Sequence, residues 1–232
     1  MSRPRRPSGP PDAHQPLVVG FDLDMTLIDP RRSIRSALVA LGDESGIAID
    51  AERVISTLGP PLETALSPWF SGDALEQACW RFRALHGPIL EVQTDPMPGA
   101  VQAVRAVSDL GGRTVVITAK YEPHAHSSLR AVGIVADAVV GWRYGPAKGE
   151  ALRDHGAQIY VGDHPADVVA ARVGGTVSVA VATGATTRSD LEAAGADVVL
   201  SSLLAFPPWL RGWLADPEPR PLRPGARGAD DG

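Results

Sequence analysis

Val18-Val19-Gly20-Phe21-Asp22-Leu23-Asp24-Met25-Thr26-Leu27 is an apolar run that ends in two carboxylates and a hydroxyl. In extended backbone, residues two apart point the same way, so Asp22 and Asp24 can face one point in space. Like charges held together are costly unless a cation or a proton compensates them. The pair therefore suggests a hard metal ion, a nucleophile, an acid/base pair, or a combination. Read alone, it also fits a solvated strand end, or Asp24 as a helix N-cap.

Outward from this run, the chain alternates short β-like segments with helical ones. The strand expectations are Leu17–Phe21, Thr114–Thr118, Ala138–Val140, Gln158–Val161, Val177–Val181 and Asp197–Leu200. Several are Val-rich without clean alternation, as strands buried on both faces can be. Helices are expected at Gly99–Leu110, His124–Val132, Ala147–His155, Ala166–Val173 and Ser189–Ala194. Each is followed by a glycine stop: Gly111, Gly133, Gly156, Gly174 and Gly195. Such alternation predicts an α/β fold, a Rossmann-like parallel sheet with helices on both faces. Trp209 and Trp213, four apart after Pro207-Pro208, predict a closing helix against the sheet.

The stretch Ser33 to Val92 breaks the alternation. It reads as helices at Ile34–Leu41, Ala51–Thr57, Leu62–Trp69 and Asp73–Leu90, the last broken near Gly87-Pro88. Asp29-Pro30 reads as a turn or helix entry. The expected division is a core over 17–32 and 93–215, a helical cap over 33–92, and Pro-rich unstructured ends over 1–16 and 216–232. Trp69, Trp80 and Phe82 are expected in the cap core.

Composition narrows the function classes. The 232 residues are 44% hydrophobic and 21% charged, as in soluble globular proteins. A net charge of −5 argues against sequence-independent nucleic-acid binding, which needs clustered positive charge. No uninterrupted apolar run exceeds the five residues Ala37 to Leu41, far below a membrane span, and Met1 to Pro16 carry no apolar signal region. The lone Cys79 excludes an internal disulfide, reads as packing, and fits a cytoplasmic location. Against twenty arginines there are two lysines, Lys120 and Lys148. A compact ammonium differs from a planar guanidinium at an ion site, so both are candidates; Lys120 either lines a site mouth or is solvated. His124 and His126 hint at metal binding but are expected to be solvated at a helix start.

In open α/β sheets, ligands bind beyond the carboxyl ends of the strands. Those ends carry Asp22 and Asp24, then Thr118, Ala119 and Lys120, then Gly162, Asp163 and Asp167, with Lys148 at a nearby helix start. The fold rule gathers on one edge what chain order scatters.

Asp22-Leu23-Asp24-Met25-Thr26, then Thr118, Lys148 and Gly162-Asp163 with Asp167 resemble, in order and spacing, the four-motif signature of the haloacid dehalogenase-like hydrolases. The resemblance covers about Leu17 to Phe206. An insertion after the first motif is similar to the C1-type helical caps of the phosphoglycolate phosphatase and β-phosphoglucomutase branch. Gly59-Pro60-Pro61-Leu62-Glu63 looks like that branch's substrate-facing cap loop, or a helix start built from Pro and Glu. Two departures stand out: Met25 where Gly is usual, and His164 where a small polar residue is usual.

The resemblance implies a Mg²⁺-dependent phosphatase acting through an aspartyl-phosphate. Asp22 would be nucleophile and Asp24 acid/base, which favours phosphoester over halide chemistry. Thr118 would hold a phosphate oxygen, and Lys148 would steady nucleophile and phosphate. The Mg²⁺ ligands would be Asp22, the Asp24 carbonyl and Asp163, with Asp167 outside them or paired to Lys148. The expected partner is a small phosphorylated metabolite, phosphoglycolate first, with no nucleic acid and no membrane, the protein being a monomer or weak homodimer. A phosphomutase and a catalytically silent binding domain are the alternatives.

Overall fold

The computed structural model describes residues 16–215, so the expectations for both chain ends fall outside the described residues. Among the described residues, eight strands and eleven α-helices follow in chain order: β1 (Val18–Phe21), β2 (Ile28–Asp29), α1 (Arg31–Ser45), α2 (Ala51–Ile55), α3 (Leu62–Leu66), α4 (Gly72–His86), α5 (Leu90–Gln93), β3 (Asp95–Pro96), α6 (Ala100–Asp109), β4 (Arg113–Ile117), α7 (Glu122–Ala131), β5 (Ala138–Val140), α8 (Pro146–Asp154), β6 (Ile159–Gly162), α9 (Pro165–Gly174), β7 (Val177–Val181), α10 (Arg188–Ala194), β8 (Val198–Leu200) and α11 (Phe206–Ala215). Six strands form one parallel sheet in the order β5-β4-β1-β6-β7-β8. The first strand lies between β4 and β6, so the chain order reverses at its carboxyl end, where such sheets place ligands.

Alternate residues of β1 serve opposite faces, as a strand requires. Val19 and Phe21 join one core with Ala103 and Val107 of α6, Leu129 of α7 and Phe206 of α11, whose ring meets Phe21 edge-on at 5.4 Å. Val18 joins the other with Ala151 and Leu152 of α8 and Ala170 and Ala171 of α9. Each fully buried Val or Phe contributes about 1.5–3 kcal/mol, so the strand carrying Asp22 is anchored on both sides. The expected closing helix is α11, with Trp209 and Trp213 stacked at 6.3 Å.

The helices α1 to α4 bury their own cluster. Ile34, Ala37, Leu38 and Leu41, spaced three and four apart on α1, pack against Leu66, Ala78, Cys79 and Phe82. The break near Gly87-Pro88 is a 3₁₀ turn, Gly87–Ile89. Trp80 corrects the sequence expectation: it is 51% exposed and turns away from this cluster toward the sheet domain. The sequence reading also omits a two-residue antiparallel ribbon, in which Ile28 faces Pro96 and Asp29 faces Asp95. The chain leaves for the helical lobe and returns at this one point.

A further correction concerns the stop of α9, which is Gly175 at φ 73° rather than Gly174. Gly174 instead lies against Leu152 of α8, where an added Cβ would come within 2.9 Å of the leucine Cβ. Gly149 of α8 lies equally close to Ala170 and Val173. Two glycines without side chains thus let α8 and α9 approach closely, which brings Lys148 to Asp167.

Candidate active site

Asp22 follows β1 directly and stays in register through its N–H, which donates to the Val161 carbonyl at 2.8 Å. Its buried carboxylate meets the buried ammonium of Lys148, with Nζ 2.7 Å from Asp22 Oδ1 and 2.7 Å from Asp167 Oδ1. The second oxygen of Asp167 accepts from the His164 N–H at 3.1 Å. In return, His164 Nδ1 accepts from the Ala166 N–H at 3.0 Å, and Pro165 opens the helix with no N–H to satisfy. Asp167 therefore caps α9 and holds Lys148 at the same time. Tyr160, buried on β6, donates from its hydroxyl to the Ile117 carbonyl at 3.1 Å and lies 3.3 Å from Asp167 Oδ1. Asp163 accepts from the Thr26 hydroxyl at 2.9 Å, which gives the hydroxyl of the opening motif a task.

Asp22, Asp163 and Asp167 each present an oxygen within 4.8 Å of the others, all buried, around a single ammonium. Burial pushes the Asp22 carboxyl up to about 7, with Asp167 and Asp24 adding to the rise against the pull of Lys148. Asp163 is raised well above the carboxylate range, first by burial and then by Asp22. Burial works against the charge on Lys148, yet Asp167 and Asp22 outweigh it and hold the ammonium well above its ordinary value. The cluster is short of positive charge, and its oxygen donors suit a hard divalent cation. Asp22 and Asp163 fit as side-chain ligands, whereas both oxygens of Asp167 are already engaged.

Asp24 has a different setting. Its side chain lies outside that triad and pairs with Lys120, Nζ to Oδ1 2.8 Å. Oδ1 nonetheless has no hydrogen-bond partner, so the contact is an ion pair rather than a directed bond. Thr118, one residue past β4, is buried and accepts from the Lys120 N–H at 3.1 Å, which leaves its hydroxyl proton available. Met25 sits at φ 62°, the left-handed region that favours glycine. Its N–H donates to the Ile28 carbonyl at 2.8 Å, its carbonyl accepts from Thr183 at 2.7 Å, and its side chain is buried in the sheet core. Core packing therefore accompanies the strained angle that the usual Gly would avoid.

A cavity of about 100 Å³ runs from Asp22, Asp24, Thr118 and Lys120 into the helical lobe. Gly59 and Pro60 line it, so the 59–63 loop faces the site; Pro61 also opens α3, and both readings of that loop hold. Gly59, at φ 134°, lies so close to His164 that an added Cβ would be 2.9 Å from the ring. The unusual His164 is thus a contact between lobe and core as well as a helix cap.

Sequence reasoning missed the settings of His124 and Arg83, and placed Lys120 at the site mouth or in solvent without naming its partner. His124 is half-buried rather than solvated, its ring 5.4 Å from His86, and both line the cavity; His126 is exposed. Lys120, which scarcity of Lys singled out, is the partner of Asp24. Arg83 of α4 is buried with its guanidinium 4.9 Å from Trp80, 4.3 Å from Trp142 and 6.0 Å from Tyr121, and pairs with Glu63 at 2.5 Å. Nothing in the sequence marks this stack, which joins two segments distant in the chain.

A family model for haloacid dehalogenase-like hydrolase matches residues 19–172, and a second, HAD-hydrolase-like model matches residues 147–206. Among curated relatives, the tyrosine-protein kinase PtkA of Mycobacterium tuberculosis is 30% identical over 131 residues, 56% of this chain. The chain spans only 44% of that relative's length. The probable phosphatase IndB of Dickeya dadantii is 27% identical over 208 residues, 81% of this chain and 90% of its own. A haloacid dehalogenase-like family hydrolase of Streptococcus pneumoniae superposes with a TM-score of 0.73 at 22% identity, over 84% of this chain and 98% of its own. No helix among the described residues is long and apolar enough to cross a membrane.

Proposed function

Because the chain belongs to the haloacid dehalogenase-like hydrolases, we propose that it is a divalent-metal-dependent phosphatase for a small phosphate monoester, acting through an aspartyl-phosphate on Asp22. The observation that carries this reading is the ammonium of Lys148 held 2.7 Å from both Asp22 and Asp167, beside Asp163, with Asp22 itself lining a cavity.

An Asp22 oxygen attacks phosphorus and the bond to the leaving oxygen breaks, with Asp24 giving that oxygen its proton. Asp24, now a carboxylate, takes a proton from water, and the water oxygen attacks phosphorus and frees Asp22. The Asp24 Oδ1, which accepts no hydrogen bond, suits this exchange, and Lys120 lies beside it. Thr118 donates to a phosphate oxygen, and Lys148 steadies the negative charge shared by phosphate and nucleophile. Asp22 and Asp163 would hold Mg²⁺, with the Asp24 carbonyl added by family resemblance; bound there, the ion would neutralise phosphate charge. Asp167 acts by positioning Lys148. The helical lobe, residues 33–92, acts as the cap that selects the alcohol, in a protein working in the cytoplasm.

A phosphate-release screen over many phosphoesters tests this, with phosphoglycolate as reference ester. Release is expected with Mg²⁺, none in excess EDTA, and none from Asp22→Asn. Activity surviving EDTA or the substitution would overturn the mechanism. The phosphomutase alternative predicts isomerisation of hexose 1-phosphates without phosphate release.

A further inference from the structure

Most of the cavity wall beyond the carboxylates is apolar, from Ile34, Leu38, Val54, Leu58, Leu62 and Phe82, with His86, Tyr121 and His124 beside them. The charged groups that border it are matched. Arg83 faces Glu63 and lies over Trp80 and Trp142. Lys120 is paired with Asp24. His86 Nε2 lies 3.0 Å from the Ser33 hydroxyl. Burial, with Lys120 adding to it, pushes His86 down to about 2 and His124 to about 4, so both rings are neutral at physiological pH.

These facts decide between kinds of leaving group. A carboxylate entering the chamber would lose its water and meet no unmatched cation, which is costly. A sugar carries several hydroxyls, each wanting a partner; the six apolar side chains offer none, His86 is engaged by Ser33, and His124 and Tyr121 are too few to serve them all. An apolar group loses nothing and gains the transfer of its surface from water. The size sets a limit: at about 100 Å³ for the whole cavity, against the ~150 Å³ of apolar cavities that take up benzene, the group must be small.

We propose that the chamber formed by Ile34, Leu38, Val54, Leu58, Leu62 and Phe82 takes an uncharged, apolar alcohol or phenol, so that the substrate class is a small alkyl or aryl phosphate monoester. This rests on the phosphatase reading for its chemistry, while the selectivity belongs to the chamber itself.

The test separates binding from turnover. Two non-hydrolysable phosphonates, benzylphosphonate and phosphonoacetate, are titrated calorimetrically into the full chain with Mg²⁺. Benzylphosphonate is expected to bind at least tenfold more tightly; equal affinities, or the reverse order, overturn the inference. Leu62 lines the chamber and is half-exposed, so Leu62→Arg can place a cation there without emptying a core. In that variant, shown folded by circular dichroism, phosphonoacetate is expected to gain about tenfold and benzylphosphonate to lose; an unchanged ratio counts against the chamber as selector. Phosphate release from benzyl phosphate and phosphoglycolate is measured in parallel. Release from both without a binding preference removes the inference and leaves the phosphatase standing. A binding preference without release from either ester removes the phosphatase and leaves the chamber's selectivity.

Discussion

At the sheet edge, Asp22 and Asp167 hold the ammonium of Lys148 with Asp163 beside them; the cavity that Asp22 lines runs from there to Ile34, Leu38 and Phe82, where the charged neighbours are paired. The first end is held by strand termini and by two helices that glycines let approach closely. Its charges are near one another because the fold forces them together, and the imbalance is what makes the site receptive to a cation and a phosphate. The second end is held by a separately packed helical cluster that contributes shape and dryness. The proposed chemistry and the proposed selectivity therefore rest on different parts of the chain, and each should yield to different substitutions.

The largest effect is expected at the charged end. Asp22→Asn should lower phosphate release by about 10³-fold or more, the loss of a nucleophile. It should leave Tm unlowered, since it also removes a buried charge from a crowded cluster. A Tm falling in step with activity would mean that Asp22 serves the fold.

Lys148→Met should be costly in both respects. It strips the counterion from two buried carboxylates, for which about 3–5 kcal/mol of lost stability is expected. Denaturant titration checks this, and added Mg²⁺ should restore part of the loss by binding the folded state alone.

The apolar end has its own signature in acid. His86 and His124 are neutral when folded, with values near 2 and 4, yet take protons near 6.5 when unfolded. The unfolded chain then binds more protons than the folded one, so stability holds above pH 6.5 and falls as pH drops toward 4. His124→Gln should flatten part of that decline in acid denaturation, and an unchanged slope would place the titration elsewhere.

The smallest effect separates angle from packing. Met25→Ala loses the buried side chain and keeps the left-handed penalty; Met25→Gly loses one methyl more and escapes it. Glycine should therefore be the milder substitution by about 1 kcal/mol in chemical denaturation.

The order of strands and helices could be read from the sequence because Val-rich runs and glycine stops are local signals. The gathering of Asp22, Thr118, Lys148, Asp163 and Asp167 on one edge follows from the rule that a parallel sheet presents its carboxyl ends together. What escaped reading depends on how two separately packed bodies meet. The stack of Arg83 on Trp142, the pair of Lys120 with Asp24 and the approach of His164 to Gly59 join residues from distant elements, and no spacing along the chain encodes them. Trp80 was misplaced for the same reason: a large aromatic side chain suits a lobe interior and a surface facing another body equally well. Met25 could be noticed as a departure, but its backbone angle is a property of the folded turn. Adjacent Gly174 and Gly175 differ only in which one faces the neighbouring helix.

The ribbon of Ile28–Asp29 against Asp95–Pro96 gives the molecule a clean seam. Paired strands run about 4.8 Å apart, so the two backbone ends that bracket the helical lobe are near neighbours. A turn of a few residues could close the sheet domain there with its hydrogen-bond ladder undisturbed, and a foreign helical segment could be spliced in at the same junction. The seam makes the helical lobe an exchangeable cassette, one that can be rewritten without renegotiating the register of a single strand in the main sheet.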